Sequence, residues 1–134
     1  MHIKIVNCLC SYYRIRNIFC TGEYFFEELA CEYLKKKGHS IIARNFAARD
    51  GEIDIVSYDK KKNCIVFVEV KYRTGKDYGL PQEAVTKEKQ KRIIKAAYMF
   101  IKKKNVKAES YRFDVISVSV GNRIEHIENA FMVE

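Results

Sequence analysis

The stretch from Cys64 to Arg73, Cys-Ile-Val-Phe-Val-Glu-Val-Lys-Tyr-Arg, constrains the fold more than any other. Its β-branched and aromatic residues favour extended backbone. The two-residue period of a strand puts Val66, Val68 and Val70 on one face and Ile65, Phe67, Glu69 and Lys71 on the other. Such a strand is buried on at least one side, so its sheet needs a covering layer. Two ionised groups share one of its faces. Charges there are costly unless they pair with each other or bind an ion.

The rest of the chain supplies that sheet. Thr21 is placed to cap a helix in which Phe26, Leu29, Ala30, Tyr33 and Leu34 recur at helical spacing through Lys37, and Gly38 stops it. Ile41-Ile42 and Phe46 mark a strand, and Asp50-Gly51 a tight turn into the next. On that next strand Ile53, Ile55 and Ser57 share one face, and Glu52, Asp54 and Val56 the other. Lys60 to Asn63 is a polar turn. Gly75 to Gly79 is a loop, and Pro81 suits a helix start. That helix runs to about Lys104, with Ile93, Ala96, Ala97, Phe100 and Ile101 as its buried stripe. Tyr111 to Val120 alternates as a strand, Gly121-Asn122 turns, and Arg123 to Phe131 is a last extended segment. The order α-β-β-β-α-β-β predicts an α/β chain with a central mixed β-sheet flanked by helices. Composition shifts near Thr21, so residues 1–20 read as a basic, apolar arm and residues 21–134 as a single domain.

The 134 residues carry 25 Lys and Arg against 17 Asp and Glu, a net charge of +8. That excess suits a polyanionic partner or a merely solvated basic surface. Five cysteines, with no C-x-x-C, fit neither a zinc site nor a disulfide framework. Free thiols in a reducing cytoplasm are the simplest account. Polar and charged residues break the N-terminal apolar run, and no segment has the ~20 apolar residues of a membrane span. His2, His39 and His126 are isolated in sequence, and no Gly-rich phosphate loop occurs.

Glu69 and Lys71 therefore attract the chemistry. Asp54 lies on the preceding strand across a short turn, so an antiparallel pair would set it opposite Glu69. Two such carboxylates repel and hold their protons tightly, and a divalent cation between them removes that penalty. Mg²⁺, or Mn²⁺, takes oxygen ligands and generates a nucleophilic water, which Lys71 would help to activate. Glu27 on the first helix could add a third carboxylate. The alternative is a cross-strand ion pair on a solvated face.

A resemblance sharpens the choice. Gly22, Phe26-Glu27-Glu28-Leu29-Ala30, Arg44-Asn45-Phe46, Gly51-Glu52-Ile53-Asp54-Ile55-Val56, Val66 to Lys71, Lys89-Gln90-x-Arg92, Ala96-Ala97, Arg112-Phe113-Asp114-Val115 and Asn129-Ala130-Phe131 occur in order. Together they resemble the YraN family of endonuclease-like proteins. The resemblance implies a restriction-endonuclease-like fold, related to archaeal Holliday-junction resolvases. In that signature Asp54, Glu69 and Lys71 would be catalytic. Asp54, Glu69 and the Val70 backbone carbonyl would hold the metal, with Glu27 as the helix acid. Phe26 departs from the small residue common at its position, and so long an N-terminal arm is unusual. The arm would pack on the core, extend the nucleic-acid surface, or reflect a mis-called start.

Lys87, Lys91 and Lys95 form one helical stripe, which reads either as a phosphate-binding face or as a solvated one. Arg73, Lys76 and Tyr78 suit a substrate-contacting loop or a simple connector. Gln82 and Lys89 are weaker candidates near the acids. Arg112 and Asp114 share a strand face as a structural ion pair. Tyr12, Tyr13 and Tyr72 are the rings outside apolar patterns. The expected activity is phosphodiester hydrolysis on DNA ahead of RNA, branched DNA included, with no membrane association. A homodimer would suit a junction resolvase. The alternatives are a non-catalytic nucleic-acid-binding module and a protein-interaction domain.

Overall fold

The computed structural model describes residues 22–73 and 85–133. The arm, Thr21, Lys76, Tyr78, Pro81 and Gln82 lie outside the described residues. The elements are α1 (Gly22–Lys36), β1 (His39–Ala48), β2 (Gly51–Asp59), β3 (Cys64–Arg73), α2 (Lys87–Lys104), β4 (Ser110–Ser119) and β5 (Arg123–Phe131). They form a five-stranded mixed sheet in the order β1-β2-β3-β4-β5. β3 and β4 run parallel across the α2 crossover, and every other neighbouring pair is antiparallel. This is the expected α-β-β-β-α-β-β order, consistent with a nuclease-like fold. No described helix is long and apolar enough to cross a membrane.

Local chemistry sets the boundaries. Gly38 adopts φ 97 just after α1, where a side chain would be strained. Thr86 caps α2, its hydroxyl accepting the Lys89 N–H at 3.1 Å. Asn105 closes α2 in the left-handed conformation, which asparagine tolerates better than most residues.

β3 is covered on both faces. Ile65 and Phe67 pack with Ile93, Ala96, Ala97 and Phe100 of α2. Val66 and Val68 pack with Ala30, Cys31 and Leu34 of α1. Each fully buried aliphatic or aromatic side chain here is worth about 1.5–3 kcal/mol. The predicted α2 stripe is buried, with Ile101 partly so.

Strict alternation fails in β2. Ile55 packs on the α1 side and Val56 on the α2 side, but Ile53 joins Val56 rather than Ile55. The break lies beside Asn45, φ 50, between the partners Arg44↔Ile55 and Phe46↔Ile53. The left-handed Asn45 of β1 lies opposite this break. Asp54 sits at this break.

Candidate active site

The β2–β3 ladder runs from Asp59↔Cys64 to Ile55↔Val68 and ends there. One step further the same register sets Asp54 opposite Glu69. With the strands parted, the Val70 N–H donates to Asp54 Oδ2 at 2.8 Å, which fixes that carboxylate. Glu69 lies on the α2 side of β3 and is 4% exposed. Its Oε1 stands 3.5 Å from Lys71 Nζ and 3.8 Å from Lys89 Nζ. Its Oε2 is buried without a hydrogen-bond partner.

Burial, and next the Asp54 charge, push the Glu69 carboxyl up to about 7, against the pull of Lys89 and Lys71. Burial also raises Asp54, opposed chiefly by the Val70 N–H. Glu27 reaches toward the same place from α1, its carboxyl raised by burial and then by Asp54. These groups line one open cleft of about 440 Å³, together with Asn45, Glu52, Val70 and Lys89.

The orphaned Glu69 oxygen beside a second carboxylate can be satisfied in two ways: a proton shared with Asp54, or a cation. A pair of carboxylates fits Mg²⁺, which keeps most of its waters. It does not fit an all-protein cage. Among the described residues no three His, Cys, Asp or Glu side chains cluster closely enough to hold a metal, so Glu27 does not complete a third ligand in this geometry.

A family model described as uncharacterised protein family UPF0102 matches residues 26–118. The chain belongs to the UPF0102 family. This is the YraN family whose motifs its sequence carries, and the match spans every residue of the cleft from Phe26 to Lys89. A UPF0102 protein of Geobacter metallireducens is 50% identical over 78% of this chain and 87% of its own length. One of Trichlorobacter lovleyi is 49% identical over 78% and 85%. One of Sulfurihydrogenibium is 42% identical over 82% and 93%. Among solved structures, Pyrococcus furiosus SfsA in complex with Ca²⁺ is 12% identical, covering 84% of this chain and 64% of its own, with TM-score 0.28. That score is too low to bear on the fold.

The other basic residues singled out in the sequence of the UPF0102 chain lie on α2 and at the end of β3. Lys87, Lys91 and Lys95 are exposed along α2, and Arg73 ends β3. Lys89, ranked low by sequence, is the α2 lysine that reaches Glu69. Its only sequence signal is its place in the Lys89-Gln90-x-Arg92 motif.

A second polar cluster lies at the opposite end of the sheet, on the α1 side. Arg112 grips Asp114 with two hydrogen bonds of 2.9 and 3.0 Å and reaches Asp59 at 3.3 Å. His126 binds Asp114 at 2.7 Å, and Lys37 and Lys62 hold Glu128. The Arg112–Asp114 expectation is thus met. His39 and His126, isolated in sequence, are not isolated in space: their ring centroids are 6.4 Å apart. A flat sheet would hold β1 and β5 about 19 Å apart, so long side chains meet across a sheet curled toward α1. This cluster has no orphaned carboxylate oxygen among the described residues. It is a structural clamp.

Proposed function

We propose that this protein is a metal-dependent nuclease that hydrolyses phosphodiester bonds in DNA. The observation that carries the reading is the convergence of Asp54, Glu69 and Lys71 in one solvent-open cleft, with a buried carboxylate oxygen left unpartnered. Asp54, Glu69 and the Val70 carbonyl would hold Mg²⁺ or Mn²⁺, with Glu27 nearby. When bound, such an ion supplies Lewis-acid polarisation and lowers the pKa of water at the site.

The chain's own groups do the rest. The Val70 N–H keeps Asp54 aimed into the cleft. Glu69 must lose its proton to accept a cation, so ion binding strengthens as pH rises through about 7. Lys71 Nζ, 3.5 Å from Glu69, can donate to an oxygen that gains negative charge. Arg73, Lys87, Lys91 and Lys95 would contact flanking phosphates, which require only positive charge within reach. In this reading the protein works in the reducing cytoplasm. Burial pushes the Cys31 thiol up to about 11, so it stays inert there.

Purified protein is offered linear, flapped and four-way-junction DNA with Mg²⁺ or Mn²⁺. Cleavage should require the cation and fall by about 100-fold or more in Glu69→Gln and Lys71→Ala, the loss of at least one charge-stabilising contact. Undiminished cleavage by both variants refutes the assignment.

The net charge of +8 equally suits a second reading, a nucleic-acid-binding module without turnover. That reading gives binding whose log affinity falls linearly with log salt, and no product with either cation.

A further inference from the structure

Two aromatic rings lie against each other beside the acids. Phe26 of α1 and Tyr72 of β3 stack with centroids 4.3 Å apart and planes 10° from parallel. Both line the cleft that holds Asp54, Glu69 and Lys71. Tyr72 is 39% exposed and comes directly after Lys71 in the strand. A flat pair anchored on two different elements is rigid, and it lines a site whose other walls are mostly charged. An apolar ring at that place is poorly used by a cleft that meets only phosphates, ions and water.

We propose that the Phe26–Tyr72 pair is a stacking platform for an unpaired nucleobase, so that the cleft takes single-stranded nucleic acid in preference to continuous duplex. The inference rests on the nuclease reading for the neighbouring phosphate and adds the class of substrate. Stacking one base on an aromatic side chain is worth about 5- to 150-fold in affinity, from ~1–3 kcal/mol. Pulling a paired base out of duplex costs as much as one stack returns. A single platform therefore selects bases that are already free; it does not extract paired ones.

The test uses the full chain with a chelator, so that nothing is cut. Fluorescence anisotropy compares a labelled oligo-dT strand with a blunt-ended two-strand duplex carrying the same number of phosphates. Tyr72→Ala should weaken binding of the strand by about 5- to 150-fold and that of the duplex by less than about twofold, and Tyr72→Phe should restore the strand. A 2-aminopurine in the strand should be quenched by the parent protein and by Phe26→Leu less strongly. Equal losses on both ligands, or no loss on either, overturn the platform. The two ideas fail separately. A Tyr72→Ala protein that binds and cuts strand and duplex like its parent removes the platform and leaves the nuclease. A protein that never cuts, yet loses strand binding with Tyr72→Ala, removes the nuclease and leaves the platform.

Discussion

Replacing Glu69 by glutamine probes the acid pair without any substrate. Burial, then the Asp54 charge, hold the Glu69 carboxyl at about 7 in the folded protein against an ordinary 4.5. The native state therefore binds this proton more tightly than the unfolded chain does. The contribution of this group to stability is fully present below about pH 4.5, declines as pH rises toward 7, and is lost above. That interval corresponds to on the order of 3 kcal/mol at 1.36 kcal/mol per unit. Glutamine keeps the shape and offers permanently an N–H where the protonated acid offers an O–H. With a chelator present, Glu69→Gln should match the parent near pH 5 and exceed it at pH 8 by roughly 10 °C in Tm. Thermal unfolding followed by circular dichroism across that range reads the difference. Added Mg²⁺ or Mn²⁺ should then raise the Tm of the parent at pH 8 and leave the variant unmoved. Parallel profiles for the two proteins would refute the reasoning, since the carboxylate would then be ionised at no cost.

Two further substitutions test the frame around the cleft. A Cβ at Gly51 would stand 2.4 Å from the Arg92 carbonyl oxygen and 2.9 Å from its carbon. Because that obstacle is backbone, Gly51→Ala should cost about 1–3 kcal/mol, seen as a lower urea midpoint with unchanged slope. Asp114→Ala should cost about 3–5 kcal/mol by leaving Arg112 buried without its main partner; a loss under about 1 kcal/mol would mean that Asp59 and Glu128 suffice.

The sequence made most of the architecture legible because its signals were local. Period-two alternation in β3, helical spacing in α2, and turn residues at Asp50-Gly51 and Gly121-Asn122 each depend on near neighbours. What escaped was non-local. Nothing in the β2 pattern announces that Ile53 packs with Val56 rather than with Ile55, opposite the left-handed Asn45 of the partner strand. Nothing in the spacing of His39 and His126 announces that curling of the sheet brings them together. The Asp54–Glu69 encounter could be anticipated because a short turn joins their strands and fixes the register. Lys89 could not be singled out from its neighbours on the helix, because which α2 lysine reaches Glu69 depends on how the helix is rotated against the sheet.

The clamp of charges around Asp114 bears on how the far end behaves. Asp59, Arg112, His126 and Glu128 tie β2, β4 and β5 together where those strands leave the cleft behind. With that end pinned, the β2–β3 ladder keeps its register up to Ile55↔Val68, one step short of the acids. A slip by one residue would turn every side chain of β2 to the wrong face. The ion pairs at that end thus help hold the register that sets Asp54 opposite Glu69.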